Sequence, residues 1–534
     1  MPPMAASSKV TEESSHLSSL FAYDALPNHQ DLDSMISNAK FTAGTGADFY
    51  DRSLTSRKYA LVGVACSSIF SCSCIIAGIV TLTNHGVMGV THMHMQLAYW
   101  ATLEDPLDLP KEILALALNL IVTLCSESIG FVHNISLRSA LASESRLRFN
   151  TNLRLLTAAR GWCNPNGALL NSISAVLLII SYSSASLVVC LDFHWVSNIA
   201  GDEGIALAGL PLLILGVALL FQVMIALSGM KAVKILTWSS SPFDLTATLV
   251  HHTQLTPATF RCMRCVSALD ADGNTARPSE TQPSAWHAHP SIRKVVISLW
   301  GIVAAYAGWA ALVMYLWGKY ADGGTYIASP TALTAQTWSF IPDTLYGSFN
   351  YIGYNLPAIG IQWWILLFVN VAVVQGPLTL GMHCSELIAN VIRDERQWRC
   401  ATGRKGLKTA TNPVKPIFTH PICLVLFVAK PFLHWMFGLS LITSNPAWDG
   451  KLAGMGVGMH TAQIWNLCIA LFIFTSFFTF VALRRLRGPQ PAAYGHVQTL
   501  ANLVDEWSPV MWWGHKKDGI PYCHAGRILI CSWR

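Results

Sequence analysis

Apolar stretches long enough to cross a membrane alternate along this chain with polar segments. A helix needs about 20 apolar residues to cross the hydrocarbon core of a bilayer. Eight stretches meet this requirement, at 59–83, 113–134, 167–191, 204–229, 295–318, 358–384, 417–443 and 462–483. The sequence therefore predicts an all-α fold, a polytopic membrane helix bundle of about eight transmembrane helices.

Basic residues concentrate in every second polar segment, and this predicts the orientation of the chain. Loops 135–165, 230–294 and 393–415 and the tail 484–534 are rich in Lys and Arg. The four loops on the opposite side carry only Lys111, Lys319 and Lys451. Because cytoplasmic loops retain basic residues, we expect both termini to be cytosolic.

The predicted spans form two groups of four. The predicted organisation is a largely disordered cytosolic N-terminal segment (1–57), transmembrane helices 1–4 (58–229), a cytosolic linker loop (230–294), transmembrane helices 5–8 (295–483) and a cytosolic C-terminal tail (484–534). The linker contains several Pro residues, which favours a flexible connection, and the tail composition favours loose order.

Composition narrows the function classes. Of the 534 residues, 52% are hydrophobic and 12% are charged, whereas soluble proteins carry about 25% charged residues. We therefore predict an integral membrane protein of the plasma membrane or an endomembrane, with membrane lipids as partners. The dispersed basic residues argue against nucleic-acid binding. The sequence has no Walker motif and no catalytic signature, which disfavours an ATP-driven pump and favours a protein that is not an enzyme.

Polar residues inside the predicted spans are the candidate functional residues. They are Asn119, Glu127 and His133 in the second span, Asn370, Gln375, His383 and Glu386 in or near the sixth, and Lys430 and His434 in the seventh. Lys430 could neutralise Glu127 or Glu386 inside the bundle. Such groups either fix helix packing through interhelical contacts or line a translocation path or proton relay. An intramembrane catalytic site is a third interpretation.

The second and sixth spans occupy equivalent places in the two groups of four. Both carry a Glu and a His near the predicted cytosolic end, and an Arg-rich segment follows each of them. This similarity predicts a parallel internal repeat, an architecture that some transporters use.

Two clusters of residues have the composition of metal sites. The first outer loop contains His85, His92, Met93, His94 and Met95, and imidazole with thioether ligands suits copper. The linker has a Cys-x-x-Cys pair with nearby His residues, which suits zinc: Cys262, Cys265, His251, His252, His287 and His289. Both signals are short, so no cofactor is predicted, and copper and zinc stay open.

Several segments together resemble a known group of proteins. They include Glu127-Ser-Ile-Gly-Phe-Val-His133, Gly376-Pro-Leu-Thr-Leu-Gly-Met-His383-Cys-Ser-Glu386, His434-Trp-Met-Phe-Gly438 and Tyr494-Gly-His-Val-Gln-Thr-Leu500. The chain resembles a large group of uncharacterised multi-pass membrane proteins of filamentous fungi over roughly residues 50–525. The resemblance implies a fungal source and a polytopic membrane location, and nothing catalytic. Residues 527–534 depart from the group, as a truncated or mis-spliced gene model would.

Three functions follow as hypotheses. The first is transport or sensing of a small solute or ion by the polar residues of the spans. The alternative is a membrane scaffold or accessory protein, linked to fungal secondary metabolism, whose C-terminal tail binds a cytosolic partner. The third is a metal-dependent membrane enzyme.

Overall fold

The computed structural model describes residues 54–86, 90–93, 108–154, 156–196, 199–258, 261, 263–268, 280–320, 338–342, 351–356, 361–408, 420–448, 451–452, 455–515 and 523–526. The chain divides into a first unit, Met1–Arg52, which lies outside these residues, and one compact unit, Ser53–Arg534. The predicted N-terminal segment therefore falls almost wholly outside the described residues.

Eleven α-helices lie in the part of the chain that the structure describes. They are α1 (Leu54–His85), α2 (Asp108–Ser143), α3 (Ala168–Val188), α4 (Gly209–Lys231), α5 (Pro242–His251), α6 (Ala285–Ala288), α7 (Pro290–Tyr320), α8 (Ile361–Arg399), α9 (Pro421–Ser440), α10 (Thr461–Leu483) and α11 (Val497–Leu503). Eight of them, α1–α4 and α7–α10, are long and apolar enough to cross a membrane. The prediction of an α-helical polytopic bundle is confirmed.

The outer surface of the bundle is apolar. Large hydrophobic side chains on different spanning helices point away from the core, among them Ile69, Val373 and Phe480, each about two-thirds exposed. An apolar surface of this extent is costly in water and suits the hydrocarbon of a bilayer. The protein is therefore an integral membrane protein with several spans.

A sheet covers one end of the bundle, which we call the sheet end. Its strands are β1 (Val90–Met93), β2 (Val189–Val196), β3 (Ile199–Ala208), β5 (Tyr351–Leu356), β7 (Leu441–Trp448), β8 (Lys451–Leu452) and β9 (Met455–His460). Their order is β1-β3-β2-β7-β9-β5, with β8 paired to β7. The sequence did not predict these strands. Because β2 and β7 follow α3 and α9 without a break, the predicted spans ran too far, to 191 and 443.

The spanning helices pack as two halves, α1–α4 and α7–α10. In the first half α4 packs against α1, α2 and α3, and in the second α10 packs against α7 and α9. Between the halves, α3 packs against α8, α9 packs against α2, and α3 meets α9. The second and third helices of each half therefore build the interface between the halves.

The segments predicted as a flexible linker and a loose tail fold together at the opposite end, the cap end. The cap consists of the described residues of 232–289, 400–408 and 484–526. It contains α5, α6, α11 and the short strands β4 (Thr281–Gln282), β6 (Leu407–Lys408), β10 (Leu486–Arg487), β11 (Val510–His515) and β12 (Cys523–Gly526). Phe243, Trp513 and Leu500 form one core with Trp398 of α8. The expectation of a flexible linker does not hold for these residues, because their apolar side chains bury one another.

Hydrogen bonds tie the cap to both halves. Arg138 near the end of α2 donates to the carbonyl oxygens of Thr237 and Ser239 in the cap at 3.3 and 2.8 Å. It also donates to Asn150 Oδ1 at 2.7 Å, and Asn150 donates to Asp394 Oδ2 of α8 at 2.9 Å. Glu395 of α8 accepts the backbone N–H groups of Ala493 and Tyr494 at 2.9 and 2.8 Å. The Arg-rich segment after the sixth predicted span is therefore the last part of one continuous helix, anchored by the tail.

Candidate functional site

Lys430 lies at the centre of the interface between the two halves. Its side chain is almost fully buried, at 2% exposure, and its ammonium contacts the carboxylates of Glu127 and Glu386. His383 Nδ1 lies 2.8 Å from Glu386 Oε1 and 3.5 Å from Lys430 Nζ. One ammonium is thus shared by a carboxylate from α2 of the first half and a carboxylate from α8 of the second. We call these four residues the charge cluster.

A second polar layer lies one helical turn closer to the sheet end. His434, four residues after Lys430 on α9, is fully buried, and its Nδ1 lies 3.2 Å from Gln375 Nε2. Gln375 also donates to Ser186 Oγ at 3.0 Å. Tyr182 stacks on the His434 ring with centroids 3.8 Å apart and donates to Thr123 at 3.1 Å.

Helical spacing explains how both layers form. Residues four apart on a helix share a face and are displaced by one turn along its axis. Four helices use this spacing toward the interface: Thr123 and Glu127 on α2, Tyr182 and Ser186 on α3, Gln375, Thr379 and His383 on α8, and Lys430 and His434 on α9. Pro431 follows Lys430 and lacks a backbone N–H, so the hydrogen-bond ladder of α9 is interrupted beside the lysine.

Two small cavities flank the polar layers. The sheet-end cavity has a volume of about 20 Å³, and Asn119, Ser186 and Thr443 are among its lining residues. The cap-end cavity also measures about 20 Å³ and is lined by Asn134, Arg154, His383, Glu386 and residues of α3. A volume of this size holds about one water molecule. Ser186, Gln375, His434 and the charge cluster lie in series between the two cavities, with His434 one turn from Lys430 on α9, and we call this line of groups the polar path.

Arg154 adds a second positive charge at the cap end of the path. Burial lowers the pKa of its guanidinium, whereas the carboxylates of Glu386 and Glu127 favour its charged form. Two carboxylates therefore lie opposite two basic groups, Lys430 and Arg154. The charges of the cluster and Arg154 balance, which a region of low dielectric constant requires.

Three residues of the charge cluster have the spacing of metal ligands. The ligand atoms of Glu127, His383 and Glu386 lie within 4.8 Å of one another. Lys430 Nζ contacts all three side chains. The ammonium thus supplies the positive charge that a metal ion would bring to these groups.

The structure brings some of the predicted polar residues together and leaves others apart. Glu127, Gln375, His383, Glu386, Lys430 and His434 meet at the half–half interface, and Asn119 lines the sheet-end cavity. His133 is buried on α2 outside the two polar layers. Asn370 is exposed on α8, outside the two polar layers, and donates to Tyr354 at 3.3 Å.

The candidate copper and zinc clusters fall partly outside the described residues. His94, Met95 and Cys262 lie there. His85 is exposed at the end of α1, and His92 and Met93 belong to β1, opposite Ala206 and Ile205. Among described residues, the one group of three or more His, Cys, Asp or Glu with metal-ligand spacing is that of the charge cluster.

Sequence reasoning missed Tyr182 and Ser186 as site residues. Both belong to the polar run Ser181-Tyr-Ser-Ser-Ala-Ser186 inside an otherwise apolar span. Such a run of hydroxyl groups is a signal, because small polar residues collect where spanning helices face one another.

Comparison with known proteins adds no assignment. No protein-family model, no curated protein and no solved structure matches this chain.

Proposed function

We propose that this membrane protein transports a small ion along the polar path, and that the ion is the proton. One observation carries the proposal: a buried ammonium shared by carboxylates of both halves lies on a line of polar side chains that joins cavities near opposite ends of the bundle. Ionisable groups are expensive inside a membrane and usually serve function there.

The dimensions of the path support the proton over larger solutes. Each cavity has room for about one water molecule. Within each polar layer the groups are joined by contacts of 3.0 to 3.5 Å, and one turn of α9 separates the two layers. A hydrated metal ion or an organic solute needs a wider passage. A proton needs only hydrogen-bonding groups and water within reach of one another.

The competing interpretation is that the charge cluster only fixes helix packing. Packing contacts between spanning helices are commonly polar, and the contacts in the cluster are direct. The two interpretations differ in their consequences for a conservative change, since a packing contact tolerates an amide in place of a carboxylate better than a proton carrier does.

The test is proton flux in proteoliposomes that contain a trapped pH-sensitive dye and a potassium gradient with valinomycin. We expect Glu127→Gln to reduce flux to the level of empty liposomes, because Lys430 loses one of the two carboxylates between which it can pass a proton. Expression and orientation should not change. The matched control is Glu144→Gln at the cap end. Glu144 pairs with Arg146 at a distance of 2.8 Å, and this pair lies outside the polar path. Wild-type flux in a correctly folded Glu127→Gln protein would contradict the proposal.

A further inference from the structure

One pair of strands joins the two halves at the sheet end. β2 and β7 run parallel, in register from Leu191 opposite Ser444 to Trp195 opposite Trp448. Every other strand pair among the described residues of this sheet lies within one half. We call residues 190–195 and 443–448 the seam.

The two halves are arranged symmetrically about the seam. The sheet has the same order from either edge, β1-β3-β2 from one side and β5-β9-β7 from the other. The helices repeat this order, since α1 packs on α4 as α7 packs on α10, and α3 on α8 as α9 on α2. A two-fold axis parallel to the central strands relates these pairs, which is the geometry of a parallel repeat.

Side chains at the interface agree with this axis. Tyr182 and His434 stack on one another, and each lies seven residues before the first residue of the following strand, Val189 or Leu441. Equivalent positions of the two halves therefore meet at the axis. His434 is also a member of the polar path, so the axis passes beside the path.

The first residues of β2 and β7, where the seam begins, form one wall of the sheet-end cavity. Val189, Leu441, Ile442 and Thr443, at or beside the start of the two central strands, line that cavity together with Ser186. Access to the polar path from the sheet end along the axis therefore requires the two strands to separate.

The cap end holds the halves together by other means. The bonds from Arg138 to Asn150 and from Asn150 to Asp394 connect α2 with α8, and all three side chains are buried. A small rotation of the halves about this connection would open the seam and leave the cap intact.

We propose that the seam is the gate of the polar path at the sheet end, closed in this structure and opened when β2 and β7 separate. Its role in proton transport rests on the proposed function. Its opening is a property of the molecule that can be measured without transport.

The structure offers a direct way to lock the gate. Thr443 Oγ1 lies 3.5 Å from Cys190 Sγ across the seam, and both side chains are buried. Thr443→Cys therefore places a second thiol beside the native one, within reach of a disulfide. The reduced Thr443→Cys protein sets the reference flux, because Thr443 itself lines the sheet-end cavity. After oxidation we expect at least a tenfold loss of flux, which dithiothreitol restores.

The matched control is Thr443→Cys combined with Cys190→Ser, which cannot form the bond and should not respond to oxidant. Wild-type protein treated in the same way controls for the other cysteines. Mass spectrometry measures how completely residues 190 and 443 are linked. Complete linkage with unchanged flux would overturn the gate.

Reactivity of the native Cys190 separates the gate from the proposed function. A small charged thiol reagent added at the sheet end should modify Cys190 in wild-type protein at a measurable rate. Cys125, which is likewise buried but lies on α2, should stay unmodified. Modification of Cys190 without any proton flux would refute the proposed function and keep the gate. No modification of Cys190 would overturn the gate whatever the flux.

Discussion

At the scale of single residues, Lys430 provides the positive charge that compensates the buried carboxylates of Glu127 and Glu386. Removing one partner of a buried ion pair costs about 3–5 kcal/mol, because the remaining charge loses its compensation, whereas replacing all partners with neutral groups is often neutral. Lys430 is 2% exposed and compensates carboxylates on two helices. Its loss should therefore destabilise the protein, because the two carboxylates then share Arg154 as their one remaining counter-charge.

Lys430→Met should lower the unfolding temperature in detergent, because Glu127 and Glu386 then have Arg154 as their one remaining counter-charge. The double variant Lys430→Met with Glu127→Gln should recover most of the loss, because Glu386 and Arg154 then balance. Thermal unfolding followed by tryptophan fluorescence measures both. Equal unfolding temperatures for Lys430→Met and the double variant would show that charge compensation is not what the lysine provides.

The same residues show how far a sequence predicts a site. Glu127, His383, Glu386 and Lys430 can be selected because an ionisable side chain stands out in an apolar span. Asn370 stands out as a polar residue in the same way, yet it lies five residues from Gln375, about 140° around the helix, and faces outward. The meeting of the four ionisable groups at one ammonium could not be predicted, since it depends on which helices are neighbours.

At the scale of helices, the contact of α1 with α4 depends on glycine. A Cβ on Gly216 would lie 2.7 Å from the carbonyl oxygen of Ser71, and one on Gly78 would lie 2.7 Å from the backbone nitrogen of Leu213. These neighbours are backbone atoms and cannot rotate away. Small residues allow this close approach, on which association of helices in a bilayer depends.

Gly216→Ala should therefore destabilise the bundle by about 1–3 kcal/mol, the usual cost of overpacking. The matched control is Gly308→Ala in α7, where an added Cβ has no neighbour within 4 Å, and alanine there should be neutral or slightly stabilising. Unfolding temperatures in the same detergent compare the two. A Gly216→Ala protein as stable as the Gly308→Ala protein would mean that α1 and α4 have room to separate.

The sheet shows why some elements escape prediction from sequence. Its strands are short and follow helices directly, so their apolar residues extend the apparent spans. Their partners are distant in the chain, as in β2 with β7, and no local pattern records such a pairing. The helices were predictable because an apolar stretch of about 20 residues rarely forms anything but a membrane-spanning helix.

At the scale of the whole molecule, the cap changes the interpretation of the tail. The Trp398 indole donates to the carbonyl oxygen of Pro491 at 2.7 Å, and the Tyr494 hydroxyl donates to Pro283 at 2.9 Å. The tail thus completes a core that begins in the loop between the halves. Deleting residues 489–534 would disrupt that core. Loss of function after this deletion would therefore be expected for a transporter as well as for a scaffold. The apolar residues of the cap are isolated in the sequence, so their common core was not predictable.

The direction of any transport depends on which end of the molecule faces the cytosol. The distribution of basic residues predicts that the cap end does, and the exposed Cys163 between α2 and α3 lies at that end. A maleimide that cannot cross membranes should label Cys163 in inverted vesicles and not in intact cells. Cys400, also exposed at the cap end, is first replaced by Ser, and Cys163→Ser identifies the labelled site. The protein that lacks both Cys163 and Cys400 then receives His85→Cys, at an exposed position at the sheet end of α1. This cysteine should be labelled in intact cells and not in inverted vesicles. Labelling of Cys163 in intact cells would reverse the orientation and place the seam on the cytosolic side, because the cap and the seam lie at opposite ends of the same helices.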